Sequence, residues 1–460
     1  MRTKNKKIGI WGFGAVGKSA VKYFHGQGYA VEVLDERELT KKEQAFLEQK
    51  KIRWFKNSAL TAFLGRNKLI LPSPGIDLEE VSQYKKKWLT ELSVIGQVFS
   101  NPVIAITGTV GKTTVTHALS HILKTGNRSI WTGGNIGKPM LDLLREKQKI
   151  DLALLEVSSF QLEHVNFFRP TLAIWTNFYP NHLDRHKNTE NYFNAKKNII
   201  DNQKEGQFAL LPFQLRDKIK RKNISFFQVL KPPAKELKKL IGHREIFYIE
   251  KNSVVRFCVE TEKKEIIFSN LERFTNSFFS ENLLILFSAL NILYRIKALS
   301  DKNLLSEKQL SFLPPIKHRL EKIEVINNIV FYNDSKSTTS ASTIAAVKKL
   351  STKPIILLLG GLSKGVSRRE LIRTVKKNVT VICTFGAESK KIAEFCRKEK
   401  IACRPFSNLD SAVKESFKLA QPGDQILLSP AGSSFDQFKN YEHRGNQFRK
   451  LVTLLSKPLS

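Results

Sequence analysis

Two glycine-rich segments carry the residue types that phosphate chemistry needs. In Thr107-Gly108-Thr109-Val110-Gly111-Lys112-Thr113-Thr114, backbone N–H groups can cradle phosphates, the lysine can reach the β and γ groups, and the Thr113 hydroxyl can ligate Mg²⁺. The second segment, Gly12-Phe13-Gly14-Ala15-Val16-Gly17, is a G-x-G-x-x-G turn followed at about the right distance by an acid, Asp35. Alone, that fingerprint would suggest a nicotinamide dehydrogenase. The phosphate loop at Thr107 leaves too little chain before it for two mononucleotide-binding halves, so a compact domain binding one nucleotide is the better reading.

Both segments need a strand before them and a helix after them. The apolar run Ile8–Trp11 predicts the first strand and Lys18–His25 its helix; Val31–Leu34 is a second strand ending at Asp35. Leu69–Leu71 delivers Ser73-Pro74-Gly75-Ile76 at its carboxyl end, where open α/β sheets hold ligands. Val103–Ile106 leads into the phosphate loop and a helix to about Lys124. Strands at Leu152–Leu155, Leu172–Thr176 and Phe208–Leu211 follow, with a helix over Glu190–Asn202. Ile246–Ile249, Val254–Val259 and Glu265–Phe268 read as a short antiparallel set, and an amphipathic helix from Glu281 to Lys297 ends the segment. The last third repeats the rhythm: strands Ile355–Leu359, Val379–Thr384 and Gln425–Ser429, helices near Arg369–Lys376, Ser389–Lys398 and Leu409–Leu419.

The fold class is therefore α/β, with three domains in series. Residues 1–92 form a Rossmann-like nucleotide domain, 93–297 a central P-loop ATPase-like domain, and 298–460 a doubly wound, dinucleotide-binding-like domain. A chain of 460 residues with 41% hydrophobic content can bury several cores, and no apolar run approaches the roughly 18 residues that span a bilayer. The basic start, Met1 to Lys7, is followed by a strand and turn rather than the apolar core of a signal peptide, so the expected location is the cytoplasm.

The formal net charge is +34, which first suggests nucleic acid. It is dispersed, at +8 over residues 1–92, +12 over 93–300 and +14 over 301–460. The densest stretch, Arg216 to Lys239, surrounds Phe226 and Phe227 and reads as a solvated surface insertion rather than a grip on a single strand. No nucleic-acid partner is expected. Cys258, Cys383, Cys396 and Cys403 lack metal-ligand spacing and read as buried thiols of a reducing compartment.

Taken in order, several motifs resemble the Mur ligases, ATP-dependent amide-forming enzymes of peptidoglycan precursor synthesis. They are Gly108–Thr114, Gly133-Gly134-Asn135-Ile136-Gly137, Glu156-Val157-Ser158-Ser159-Phe160-Gln161-Leu162, His318-Arg319-Leu320-Glu321 and Asn333-Asp334-Ser335-Lys336. The Ser-Ser-Phe-Gln-Leu run, Leu359-Gly360-Gly361-Leu362-Ser363-Lys364, and the stretch from Leu428 to Asn440 are most similar to the branch that adds D-glutamate to UDP-N-acetylmuramoyl-L-alanine. The resemblance spans all three domains in the right order. It implies a monomer acting on three small molecules, with ATP, the UDP-linked substrate and D-glutamate as partners.

The resemblance also implies roles. Lys112, His182 and Lys196 are the catalytic residues. Thr113 and Glu156 ligate a first Mg²⁺, and His182 with a carbamylated Lys196 serves a second. ATP is expected to meet Gly108, Thr109, Gly111, Lys112, Thr113, Thr114, Asn282, Arg319, Asp334 and Lys336, between the central and C-terminal domains, with hinge closure around residues 297–302. The UDP substrate is assigned to Asp35 and Glu36 at its uracil end and to Gly12, Gly14 and Gly17 at its diphosphate, with Ser73, Gly75, Asn135 and Ser159 as further contacts. D-Glutamate falls to Thr338, Lys364, Ser434 and Phe435. His186, one turn after His182, is read as a surface or supporting residue.

The sequence departs from the family pattern in four places. Val110 stands where Asn or His is usual, Asn181 replaces an Asp, Phe278-Phe279 replaces His-Asn, and Thr339 replaces an Asn. Because Lys112, Thr113, Glu156, His182 and Lys196 are all present, an active enzyme is expected. The alternatives are another Mur-type ligase, a folylpolyglutamate-like ligase, against which alone the Gly12–Gly17 turn with Asp35 argues, and a basic nucleic-acid-binding ATPase.

Overall fold

The structure is a computed structural model; it describes residues 6–126, 128–219, 221, 223–238, 240, 245–275, 279–299 and 316–456. Phe278 and the hinge residues 300–302 lie outside these, as do Lys220, Lys222 and Lys239 of the Lys-rich segment. Two compact units are present: Met1–Phe178 with Glu190–Leu313, and Tyr179–Thr189 with Pro314–Ser460. The described residues form three α/β domains, each built on one sheet.

The first unit holds two of the sheets. Strands β1 (Lys7–Trp11), β2 (Ala30–Asp35), β3 (Arg53–Lys56) and β4 (Leu69–Pro72) make a parallel sheet in the order β3-β2-β1-β4. The central sheet takes β5 (Val103–Thr107), β6 (Ile130–Gly134), β7 (Leu152–Glu156), β8 (Leu172–Trp175), β9 (Phe208–Pro212), β10 (Ile224–Leu230), β11 (Glu245–Glu250), β12 (Ser253–Cys258) and β13 (Lys264–Phe268). Their order is β13-β12-β11-β10-β9-β8-β5-β7-β6. The expected antiparallel set is present in β11, β12 and β13, but it is not separate: β11 pairs in parallel with β10 and so continues the central sheet.

Alternation along each strand explains why this sheet needs cover on both faces. Ile104 and Ile106 of β5 enter one core with Val115, Leu119 and Ile122 of the helix Lys112–Lys124 and Leu283 to Leu290 of the helix Ser280–Arg295. Val103 and Ala105 point to the opposite core, with Leu92, Ile95, Phe193 and Ile199. Each fully buried Leu or Ile contributes about 1.5–3 kcal/mol, so the P-loop strand is anchored from two sides.

The Lys-rich stretch contains a structural element that its charge concealed. Ile224–Leu230 is a strand inside the central sheet, with Phe226 and Phe227 buried in opposite cores. These aromatics cannot stack on bases, and the segment is not a surface insertion.

The N-terminal and central domains pack as one body. Leu141, from the short helix Met140–Arg145, enters the N-terminal core, and its N–H donates to Glu91 Oε1 at 3.2 Å. Ser19 Oγ donates to Asp142 at 2.8 Å. Burial lifts the Glu91 carboxyl to about 7.

The second unit holds β14 (Glu321–Ile326), β15 (Ile329–Asn333), β16 (Ile355–Gly360), β17 (Val379–Phe385), β18 (Cys403–Pro405) and β19 (Gln425–Leu428), ordered β14-β15-β19-β16-β17-β18. All neighbours are parallel except β14 and β15. Helices Ser340–Leu350, Arg369–Val375 and Ser389–Lys398 pack one face, and Leu409–Leu419 with Tyr441–Leu455 the other. Cys383 and Cys396 are buried, whereas Cys258 and Cys403 are only half-buried, against the expectation of four buried thiols.

Candidate active site

In the first unit, the phosphate loop leaves β5 and turns at Gly111 into the helix Lys112–Lys124. Gly111 has φ +84°, and a Cβ there would lie 2.8 Å from Asn282 Oδ1, so any other residue would be strained and crowded. Asn282 is thereby placed against the loop by the buried helix Ser280–Arg295. Lys112 Nζ donates to Gly108 O at 2.8 Å and to Thr109 O at 3.2 Å, curling over the loop as a phosphate-seeking cation would. Thr113 and Thr114 are buried on the first helical turn.

Asn177, just past β8, fixes the loop's middle. Its Oδ1 accepts from Val110 N at 3.0 Å, its Nδ2 donates to Val110 O at 3.2 Å, and its own carbonyl accepts from Thr109 N at 3.2 Å. Thr176 Oγ1 adds a bond to Val110 O at 2.6 Å. The loop is held through its backbone at position 110, which is why a valine side chain is accommodated there. Glu281 hydrogen-bonds Asn177, and burial pushes its carboxyl up to about 7 despite that bond.

Lys196 and Glu156 stand beside the loop. Lys196 comes from the helix Thr189–Asp201, is 1% exposed, and donates to Gly108 O at 2.9 Å and Thr107 Oγ1 at 3.3 Å. Burial first, then the charge of Lys112, drives its ammonium well below the ordinary lysine range, with Glu156 opposing. Lys196 is therefore not a solvated helix lysine. Glu156 ends β7 in register with Ile106 of β5. Its Oε1 accepts from Asn135 Nδ2 at 2.9 Å, and its Oε2 is buried without a hydrogen-bond partner.

The G-x-G-x-x-G turn follows β1. A Cβ on Gly17 would sit 1.9 Å from Gly12 O, so the turn closes only with glycine there. Asp35 Oδ2 accepts from Phe13 N at 2.5 Å and Oδ1 from Arg37 N at 3.0 Å, so this acid shapes the turn itself. Glu36, Gly14 and Gly75 are exposed; Ser73 Oγ donates to Gly12 O at 3.3 Å. Asn135 is exposed and Ser159 buried, at the start of the short helix Ser159–Leu162.

The second unit carries the remaining candidates. Arg319 Nη1 donates to Ser337 Oγ at 3.1 Å and lies 3.8 Å from Asp334. Asp334 is fully buried and accepts from Leu320 N and Ser429 Oγ; burial raises its carboxyl, with Arg319 opposing. Lys336 Nζ lies 5.1 Å from the Tyr441 ring centroid. Lys364 Nζ donates to Thr338 Oγ1 at 3.2 Å, and Lys364 O accepts from Leu183 N at 3.1 Å, next to His182. Ser434 is buried and the Phe435 side chain exposed. His182 adopts φ +55°; His186 is buried, which excludes the surface reading and leaves the supporting one. Thr339 caps the helix Ser340–Leu350, accepting from Ser342 N at 3.3 Å, which gives that departure a local use.

Comparison with known proteins follows the same order along the chain. Residues 6–96 match the Mur ligase MurD-like N-terminal domain, 106–287 the Mur ligase middle domain, and 318–432 the Mur ligase glutamate ligase domain. A UDP-N-acetylmuramoylalanine-D-glutamate ligase of Caldanaerobacter subterraneus is 31% identical over 98% of this chain and 99% of its own length. The chain belongs to the Mur ligase family.

A ligase of the same name from Caldicellulosiruptor bescii is 32% identical, covering 99% of each chain. Among solved structures, a pseudomurein peptide ligase type C from Methanothermus fervidus aligns with a TM-score of 0.58 at 15% identity over 98% of this chain and all of that one. MurF ligase from Thermotoga maritima in complex with ADP aligns at 0.57 and 16%, over 97% and 95%. Mur ligases use ATP and Mg²⁺. In this Mur ligase the fit to a cation rests on Glu156 Oε2, a partnerless buried carboxylate oxygen of the kind a hard ion takes. Among the described residues no helix is long and apolar enough to cross a membrane.

Several working residues carried no motif signal. Asn177 acts through the loop's backbone and Glu281 through Asn177, and the second unit holds the buried Arg368 and Arg444 with the part-buried Glu388. Asn177 adjoins the strand Leu172–Trp175 at its carboxyl end, the position from which a neighbouring strand can reach a phosphate loop, and that placement was the available clue.

Proposed function

We propose that this chain joins D-glutamate to UDP-N-acetylmuramoyl-L-alanine, converting ATP to ADP and phosphate. Full-length likeness to ligases of that name carries the reading. An oxygen of the substrate carboxylate attacks the γ-phosphorus and ADP leaves, giving an acyl phosphate. The D-glutamate nitrogen then attacks the acyl carbon, phosphate departs, and the nitrogen loses a proton. Such steps need positioning and charge neutralisation, not a protein nucleophile.

In this reading Lys112 moves from the loop carbonyls to the β and γ phosphates, while Gly108, Thr109, Gly111, Thr113 and Thr114 frame them. Asn282, Arg319, Asp334 and Lys336 serve ATP. Thr113 and Glu156 hold one Mg²⁺; His182 and Lys196 serve a second. Bound there, the ions would neutralise charge developing on the transferred phosphoryl group. Burial favours the neutral Lys196 amine, whose lone pair can add CO₂ and lose a proton to become an anionic carbamate.

Gly12, Gly14, Gly17, Asp35, Glu36, Ser73, Gly75, Asn135 and Ser159 are assigned to the UDP substrate, and Thr338, Lys364, Ser434 and Phe435 to D-glutamate. Lysine and hydroxyl donors complement a dicarboxylate. Domain limits of 1–92, 93–297 and 298–460, a monomeric state, a cytoplasmic location and no nucleic-acid partner complete the proposal. The test is ADP formation with MgATP and the UDP substrate: D-glutamate should start it, and no dependence on D-glutamate would overturn the assignment.

A further inference from the structure

Three loops meet at the carboxyl ends of the adjacent parallel strands β19, β16 and β17. The loop after β16 carries Ser363 and Lys364, the loop after β19 carries Ser434, and the loop after β17 carries Glu388, which has no assigned part in the reaction. Strand ends of this kind are where α/β sheets place ligands.

Glu388 and Arg368 tie these loops together. Glu388 Oε1 accepts from both Ser363 N at 3.0 Å and Ser363 Oγ at 2.9 Å, one residue before Lys364. Its Oε2 lies 3.7 Å from Arg368 Nη2. That same nitrogen donates to Gly361 O at 2.7 Å, and a Cβ on Gly432 would lie 2.2 Å from it, so the guanidinium is pressed against the β19 loop as well. Asp436 Oδ2 accepts from Ala387 N at 3.1 Å, binding the β17 loop to the β19 loop. Leu362 and Ser433 exchange backbone bonds of 3.0 and 2.9 Å.

Arg368 is only 2% exposed, and its Nε and Nη1 are buried without partners. A buried cation so poorly bonded depends on nearby carboxylates, and those acting on it are Glu388 and Asp436. Glu388 thus has two jobs: it offsets Arg368 and it fixes the backbone from which Lys364 reaches Thr338.

We infer that Glu388 is a positioning residue for the amino-acid substrate, setting the aim of Lys364 through Ser363. The inference rests on the assignment of Lys364 to D-glutamate. Without Glu388 the Lys364 ammonium would sample several directions, and D-glutamate binding would weaken while ATP and UDP-substrate binding would not.

Steady-state kinetics on Glu388→Ala, Glu388→Gln and Lys364→Ala tests it. Glu388→Ala should raise the D-glutamate KM roughly tenfold, equivalent to about 1.4 kcal/mol, with the other two KM values within about twofold. Glu388→Gln keeps an acceptor for Ser363 and should recover most of the loss. If Glu388→Ala does not fold, the double variant Arg368→Met/Glu388→Leu removes the buried cation together with its part-buried counter-charge and should still show the raised D-glutamate KM. An unchanged D-glutamate KM in the folded Glu388 variant, or an equal rise for all three substrates, overturns the inference. If Lys364→Ala raises the D-glutamate KM and Glu388→Ala does not, only this inference fails. A normal D-glutamate KM in Lys364→Ala removes the assignment beneath it and the inference together.

Discussion

Asn177→Ala should weaken ATP use out of proportion to its effect on stability. The substitution deletes two side-chain bonds to Val110, at 3.0 and 3.2 Å, inside a site where Asn177 is 2% exposed. Val110 O keeps Thr176 Oγ1 at 2.6 Å, so within the loop only Val110 N loses its partner, while Glu281 loses its bond to Asn177. Val110 N is part-buried, and leaving even a fully buried donor unmade costs about 1–3 kcal/mol, so that range is a ceiling here. The loop can escape that cost by shifting Val110 toward water, and ATP binding must then restore the cradle. About 2 kcal/mol recovered at that moment corresponds to roughly 30-fold in affinity, which is the upper bound; tenfold is the expected rise in ATP KM. The assay is the ATP KM at saturating UDP substrate and D-glutamate, beside a thermal melt. A D-glutamate KM within about twofold of wild type is also expected. An ATP KM equal to wild type, with a lowered Tm, would show that the Asn177 bonds serve folding and do not shape the loop for nucleotide.

Further outcomes follow from the other loop residues. Lys112→Ala should abolish turnover with little change in Tm, because the ammonium is half-buried and donates to the loop carbonyls of Gly108 and Thr109; normal kcat would show that another cation serves the γ-phosphate. Isotope-labelled bicarbonate should give a carbamate NMR signal in the wild type that Lys196→Ala lacks, and thorough CO₂ removal should lower kcat. No Lys196-dependent signal would exclude the carbamate. Glu281 is held near 7 by burial, above its ordinary 4.5. A raised carboxyl costs stability progressively as pH rises through that window, so Glu281→Gln should raise Tm at ~pH 8 and change it little at ~pH 4. The same shift at both pH values would contradict a buried, strained carboxylate.

The regular elements were legible because their signals are local. Apolar runs such as Val103–Ile106 and Leu152–Leu155 predicted strands that end within a residue of those observed, and the glycines of both phosphate turns announced backbone conformations few other residues take. The Lys-rich stretch hid β10 because its lysines flank the strand while Phe226 and Phe227 alternate between two cores. Strand β3 at Arg53–Lys56 was missed for a related reason: Arg53 and Lys56 are exposed and only Trp54 and Phe55 carry apolar character.

The site divides in the same way. Lys112, Thr113 and Glu156 follow strands directly and could be placed from sequence. Lys196 could not, because a helical lysine looks solvated until the fold buries it against Gly108. Asn177 and Glu388 act on loops 67 and 25 residues away along the chain, so only the folded sheet brings donor and acceptor together.

The central claim is the identity of the amino acid that is joined. Mass spectrometry of the nucleotide product, after incubation with MgATP, UDP-N-acetylmuramoyl-L-alanine and either enantiomer of glutamate, reads it directly. The account predicts a product heavier by one glutamyl residue with D-glutamate and none with L-glutamate. Equal product from L-glutamate, or a product formed only with a different amino acid, would contradict it.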